Sequence, residues 1–374
     1  MTTPDDRPGD QLDAVRPGNR GLWEVLLTAT LSGVHPDEST SFKSALRSAL
    51  ARPVSRRRAT ALRFSAVLQT LLVLLVVTGV IAAVFYRPSV DGALASVHDL
   101  ESGSAGWLVR QLHVWSGRSV LVLAIIMLAR GVFVATYKRR GRWKWVAGCS
   151  LLPVLWAFLA TGALLPFDAH AIGATSTLAS TLGKTPLVGP LLETFLAGAS
   201  PDSADVHARM WIAHSVLLPW LLFFLLLVIF SVVSRRHDDP ATESKPLEGA
   251  PLWPHRTLDV AIAITFALGA VFVLALVWPV DLGGPATTTA ATAAVDPVFR
   301  PFTGVYALFS GWGDAWGGIT ALSLVFAVLT GLFLLPWIDR SSEVAAGRRK
   351  VFVVPSLVVL LLLLLLIFVG EGLP

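Results

Sequence analysis

Two histidines, His113 and His214, stand inside long apolar stretches of this 374-residue chain. An ionisable residue at membrane depth is a functional candidate by default. His113 follows Trp107 by six residues and His214 follows Arg209 by five, so each imidazole sits roughly 8–10 Å into its helix at 1.5 Å per residue. If both helices cross a bilayer in the same direction, the two rings lie at one depth and can face each other. Two neutral imidazoles meeting across a bundle core suit a low-spin b-type haem, whose iron takes one nitrogen from each side. The alternative for the same spacing is a pair of interior histidines hydrogen-bonded to backbone or to Ser and Thr. The single cysteine, Cys149, cannot by itself provide a disulfide, a Cys-x-x-Cys-His haem attachment or a thiolate metal centre. A cofactor therefore has to hang on histidine.

Membrane helices must position these rings. The chain is 54% hydrophobic and 15% charged, with a mean hydropathy of +0.67, which excludes a soluble globule, a disordered tail and a fibrous repeat. Seven apolar stretches are long enough to cross a bilayer: Leu62 to Tyr86, Trp107 to Thr136, Trp145 to Phe167, Met210 to Val233, Leu258 to Val280, Ala315 to Trp337 and Val351 to Val369. Arg110, His113, Arg118 and Arg130 interrupt the second. The fold class expected is an all-α, polytopic helix bundle. Alternate loops (137–144, 234–257, 338–350) hold 13 Lys/Arg, and the intervening ones (87–106, 168–209, 281–314) hold 4. The positive-inside rule then puts the N-terminus in the cytoplasm and the C-terminus outside. In such a chain the net charge of +5 serves topology, and no nucleic-acid partner is expected.

Met1 to Asn19 lack a signal-peptide pattern, so insertion is expected to rely on the first span. Leu22 to Val34 is too short to cross and reads as an amphipathic surface helix or a partner-docking segment. Arg56-Arg57-Arg58 suits anionic headgroups. The loop Asp168 to Arg209 is expected to fold back on the membrane surface, and Asp281 to Asp314 is the second long loop.

The run Thr78-Gly79, Phe85-Tyr86-Arg87-Pro88, Ala95-Ser96-Val97, Gly106-Trp107-Leu108 and Arg110-Gln111-Leu112-His113 resembles the cytochrome b subunit of Rieske/cytochrome bc complexes, nearest the chloroplast and Gram-positive form. The resemblance continues through Thr161-Gly162, Leu165-Pro166-Phe167-Asp168, Pro186-Leu187-Val188-Gly189, Arg209, His214 and Leu218-Pro219-Trp220. It runs more loosely through Pro251-Leu252-Trp253-Pro254 and Leu335-Pro336-Trp337-Ile338-Asp339-Arg340. It implies a cytoplasmic N-terminal segment (1–61), a four-helix haem domain (62–240) and a three-helix part (241–374), the family's two pieces fused.

The family stacks two b haems across the membrane, and His113 and His214 match its outer ligand pair. Gly79 and Gly162 match the small residues that let helices approach the outer porphyrin, while Arg87 and Arg110 are placed to pair with propionates. The inner ligands belong four turns further on, roughly 21 Å away, where Met127 and Ile229 stand. Isoleucine cannot ligate iron, and His237 is two turns too far along. Gly148 matches one inner glycine, but Ser65 replaces the other. The family's outer Pro-Glu-Trp-Tyr, whose carboxylate can accept a quinol proton, reads Pro297-Val298-Phe299-Arg300 here. Arg118, about 140° round the helix from His113, is expected to face another helix or a partner subunit.

The expectation is a multi-pass electron-transfer subunit of a bacterial cytoplasmic-membrane redox complex, not a stand-alone enzyme. It would hold one outer haem b, with a second doubtful. The resemblance implies Rieske or c-type cytochrome partner subunits and a quinone pocket. The competing readings are a structural or quinone-binding anchor that has lost redox function, and a full quinol oxidase with substituted ligands.

Overall fold

The computed structural model describes residues 47, 50–51, 53–54, 56–138, 142–184, 187, 189–198, 200–234, 250–285 and 314–368. The Leu22–Val34 stretch, Pro186, Val188, His237 and Pro297-Val298-Phe299-Arg300 lie outside them. Met1–Arg56 with Ser234–Thr257 form one compact unit, and Arg57–Val233 with Leu258–Pro374 form the other. Within the first, β1 (Pro53–Val54) and β2 (Ala250–Pro251) pair antiparallel, Pro53 opposite Pro251.

Helices make up the second unit. α1 is Arg56–Phe85, α2 Val90–Ser102, α3 Gly106–Phe133 and α4 Arg142–Leu164. α5 is Ala169–Gly183 and α6 Gly189–Ala197. α7 (Ala204–Ile212) passes through a π turn (Ala213–Leu217) into α8 (Leu218–Ser234). α9 is Thr257–Val277, α10 Asp314–Ile338 and α11 Lys350–Phe368.

The all-α bundle expected from the hydropathy pattern is what forms. α1, α3, α4, the α7–α8 pair and α9 are long and apolar enough to cross a membrane, and shorter apolar runs follow at Ser323–Ile338 and Lys350–Leu362. The Arg56-Arg57-Arg58 run forms the first turn of α1. Two of the long span-to-span connections are themselves helical. α2 occupies the one after α1, capped by Ser89, whose hydroxyl accepts from Gly92 N at 3.1 Å. α5 and α6 occupy the Asp168–Arg209 segment.

In lipid the hydrophobic effect does not press helices together, so packing detail and hydrogen bonds must. Val120, Ile125, Leu128 and Val132 of α3 interdigitate with Trp145, Cys149, Leu152 and Leu155 of α4, joined by Leu332 and Leu335 of α10 and Val353 and Leu360 of α11. Trp145 Nε1 donates to Leu332 O at 2.7 Å, so the indole satisfies its one donor while filling the core.

The end of the bundle away from His113 is closed by a buried ionic cluster. Arg349 and Asp339 have no exposed side-chain surface. Arg349 Nη1 donates to Tyr137 Oη at 2.6 Å, and Tyr137 Oη donates to Asp339 Oδ2 at 2.5 Å. Arg349 Nη2 caps the carbonyls of Val132 and Phe133 at 3.2 and 3.1 Å, serving the orphan acceptors at the end of α3. Lys138 Nζ meets Asp339 Oδ1 at 3.0 Å. Burial raises the Asp339 carboxyl, but hydrogen bonds from Tyr137, Ser341 and Lys138 outweigh it and hold its pKa down at about 2. The Tyr137 phenol moves up, chiefly through burial.

Candidate functional site

His113 and His214 come together as the sequence suggested. Their ring centroids are 6.3 Å apart with planes crossed at 68°. Each ring stands over a Thr-Gly pair on a different helix. Thr78-Gly79 of α1 serves His113, and Thr161-Gly162 of α4 serves His214.

The two threonines act alike. The Thr78 hydroxyl donates to Leu74 O at 2.7 Å and lies 3.0 Å from His113 Nδ1. The Thr161 hydroxyl donates to Ala157 O at 2.7 Å and lies 3.1 Å from His214 Nδ1. A hydroxyl has one hydrogen, already spent on its own helix, so each oxygen must accept from an Nδ1–H. That fixes both rings in the tautomer whose Nε2 carries the free lone pair, the state a metal requires. The two glycines permit the close approach. A Cβ on Gly79 would sit 2.9 Å from His113 Cε1, and one on Gly162 2.8 Å from His214 Cε1. Phe158 sets its edge against His214 with centroids 5.6 Å apart.

The π turn begins at Ala213, and the Leu218 N–H returns to Ala213 O, one residue beyond the α-helical partner. Pro219 directly follows and has no N–H to give, so the helix is already irregular where His214 projects. Leu218-Pro219 was the only trace of this turn in the sequence.

The histidine pair borders a cavity of about 1050 Å³ formed among α1, α3, α4 and α8. Its lining is mostly apolar, as a site for a large flat organic group should be. At one end Val280 and Asp281 border it. Gln111 pins this segment like a strand neighbour, donating to Val280 O at 3.0 Å and accepting from Val280 N at 2.8 Å. Asp168 caps α5 through Ala171 N at 2.8 Å, and its other oxygen accepts from Gly283 N at 2.7 Å.

Of the two arginines expected to meet the cofactor, Arg110 borders the cavity and donates to Glu101 Oε1 and Val280 O, both at 2.7 Å. Arg87 is not among the lining residues and pairs with Asp99 at 3.5 Å in the open. Arg118 also borders this wide cavity, with its guanidinium 5.1 Å above the Trp115 ring. The α3 residues bordering the cavity, from Val120 round to Arg118, cover an arc of about 160° at 100° per residue, far wider than one ligand's face. Sequence reasoning also missed Tyr86 and His207, which meet at the cavity rim through a 2.6 Å contact.

Two imidazoles are too few donors for a bare ion, and among the described residues no group of three or more His, Cys, Asp or Glu could hold one. A macrocycle that brings its own equatorial donors completes such a pair. Two metal–nitrogen bonds of about 2 Å and two ring half-widths of roughly 1.2 Å sum to about 6.4 Å, against the 6.3 Å between these centroids. The residues present fit a haem.

Comparison with known proteins bears on the family and the fold. The family profile described as cytochrome b (N-terminal)/b6/petB matches residues 119–285, which include His214 and begin six residues beyond His113. A cytochrome b of Rhodobacter capsulatus is 25% identical over 319 residues, covering 76% of this chain and 72% of that protein. A chain of a hyperthermophilic respiratory Complex III superimposes with a TM-score of 0.68 at 20% identity, over 83% of this chain and 84% of that one. The cytochrome b6 of Heliomicrobium gestii is 30% identical over 157 residues, 42% of this chain and 74% of that protein. With its transmembrane helices and the match to most of a cytochrome b6, this integral membrane protein belongs to the cytochrome b family.

Proposed function

We propose that the chain holds one b-type haem between His113 and His214 and carries electrons at the outer side of the membrane, within a quinone-linked, multi-subunit redox complex. The observation that carries this reading is the mirrored pair of Thr-Gly–His units on one cavity. The haem supplies one-electron exchange at its iron. His113 and His214 present Nε2 to the metal, held by Thr78 and Thr161. Gly79 and Gly162 keep the rings clear of α1 and α4. Arg110 lies where a propionate can be met, and Arg87 can turn to the other, since an exposed ion pair such as Arg87–Asp99 holds weakly. The haem domain on this reading is 62–240, with 241–374 completing the bundle.

A single haem is supported by the residues at the inner position. Met127 and Ile229 offer no ligand pair, and Leu128, next to Met127 in sequence, belongs to a buried cluster with Leu152 and Leu155 against which Trp156 packs. Outer quinol oxidation is proposed to be degenerate because Val298 stands where a proton-accepting glutamate is needed. The outer-side electron partner is then a Rieske or c-type cytochrome-like subunit, and the Lys/Arg asymmetry puts the N-terminus in the cytoplasm. The test is a pyridine haemochrome assay with a reduced-minus-oxidised spectrum on purified wild type, His113→Ala and His214→Ala. One haem per chain, absent from both variants, is expected. Two haems would refute the single-site reading, and a well-folded protein with none would move it to the anchor class.

A further inference from the structure

The rim of the cavity holds a hydrogen-bonded pair that haem ligation leaves unused. Tyr86, just beyond α1, borders the cavity together with Trp211 and His214. Tyr86 Oη donates to Leu165 O at 2.6 Å and lies 2.6 Å from His207 Nε2. Trp211 stacks on the Tyr86 ring at 4.9 Å and 26°. Phe167 closes the other side, its ring centroid 4.8 Å from that of His207 with the planes at 71°. His207 itself is 2% exposed. His207, Trp211 and His214 recur at intervals of four and three, so one face of the helix carries His207, the Trp211 ring and the ligand.

Proton counting gives the pair a direction. The Leu165 carbonyl can only accept, and Tyr86 has a single hydroxyl hydrogen. With that hydrogen on Leu165, the short contact to His207 needs an N–H on Nε2. An imidazolium meets the same need at Nε2 and keeps the Tyr86 contact. The Tyr86–His207 pair can therefore persist when the ring gains a proton.

We propose that His207, held by Tyr86, is a redox-linked proton site. Its imidazole takes up one proton from the outer aqueous side as a haem held by His113 and His214 gains one electron, and releases the proton when the electron leaves. The inference rests on the haem assignment above. One electron from the reductant of the complex converts ferric to ferrous iron, and one H⁺ converts the neutral ring to imidazolium, so the summed charge of the site is unchanged. In a low-dielectric interior the two events favour each other, and the coupling is reciprocal. Other ionisable groups on the surrounding elements are Asp205 and Arg209 on the same helix, Asp168 and His170 at the start of α5, Glu193 on α6 and Arg87 beside Tyr86.

The test is a redox titration of the full-length haem-loaded protein in detergent, with one-electron mediators, read at the haem α band between pH 5.5 and 8.5. The wild-type reduction equilibrium is expected to change toward the limit of tenfold per pH unit, which is 59 mV for a one-electron couple. His207→Leu should flatten this slope. His207→Gln, which keeps an N–H for Tyr86 but cannot charge, should flatten it equally, and it serves if the leucine variant fails to fold. Tyr86→Phe should keep a slope and displace its pH window. A haem-loaded wild type with a pH-independent potential would overturn this inference alone, as would a wild-type slope in either His207 variant. A wild type without haem would overturn the haem assignment and this inference with it.

Discussion

Gly162→Ala places a methyl carbon 2.8 Å from His214 Cε1 and 3.3 Å from Nδ1. Ordinary contact begins near 3.4 Å, so the ring has to retreat by about half an ångström, and a displacement that size is resisted in a close-packed interior. The ring cannot retreat and also keep the 3.1 Å hydrogen bond from Nδ1 to Thr161. Overpacking costs about 1–3 kcal/mol and a weakened buried hydrogen bond about 1 kcal/mol. Together they lower haem affinity by roughly 30- to 1000-fold at 1.4 kcal/mol per decade. Gly148→Ala is the control, because its methyl group would meet only Leu128 Cδ2 at 3.6 Å. Both variants are purified with excess haem, and the haem-to-protein ratio is followed during dilution, together with the α-band position. Gly162→Ala should lose haem on dilution while Gly148→Ala retains it. Full occupancy and an unshifted band in Gly162→Ala, or equal loss in the control, would refute the close-approach argument.

Thr161→Val and Thr78→Val strip the acceptor from a buried Nδ1–H, a loss of about 1–3 kcal/mol. The reduced spectrum should shift in both variants, and Thr→Ser should restore it. Asp339→Asn leaves Arg349 buried beside an uncharged partner, at a cost of about 3–5 kcal/mol, to be read as a lowered Tm in detergent. Asp339 also sets a pH dependence of known sign. Its folded pKa of about 2 lies below the unfolded value of about 3.9, so its contribution is fully present above pH 4 and is lost as the pH falls from about 4 to 2. Melting temperatures of wild type and Asp339→Asn should therefore converge over that window and stay parallel above it.

Much of the architecture was legible because membrane spans announce themselves by length and apolarity: the seven stretches fall on helices, five of which (α1, α3, α4, the α7–α8 pair and α9) are long and apolar enough to cross, while α10 and α11 hold shorter apolar runs. Depth along two helices sufficed to pair His113 with His214, since helical rise is fixed. α2, α5 and α6 were harder to see. All three are short, α5 is rich in Ala, Ser and Thr, and the caps of α2 and α5, Ser89 and Asp168, read equally well as loop residues. Tyr86 and His207 are 121 positions apart and share no motif, so only tertiary packing discloses them. For Arg118, helical phase gives a direction, but the width of the space it borders is set by the other helices around it.

The segment that Gln111 and Asp168 hold against the cavity end also bears on how a cofactor is loaded during synthesis. The ligands and both Thr-Gly pairs lie before Ser234, whereas Val280 and Gly283 emerge about 50 residues later. At 5–20 residues per second that interval is roughly 3–10 s, during which the four ligand-bearing and glycine-bearing helices exist without their final border. Once Val280 docks, entry from that side has to displace the two bonds between Gln111 and the Val280 backbone and the bond from Arg110 to Val280 O. Translation order thus gives the nascent chain a brief loading period followed by closure, and a slowed ribosome between codons 234 and 280 would lengthen it.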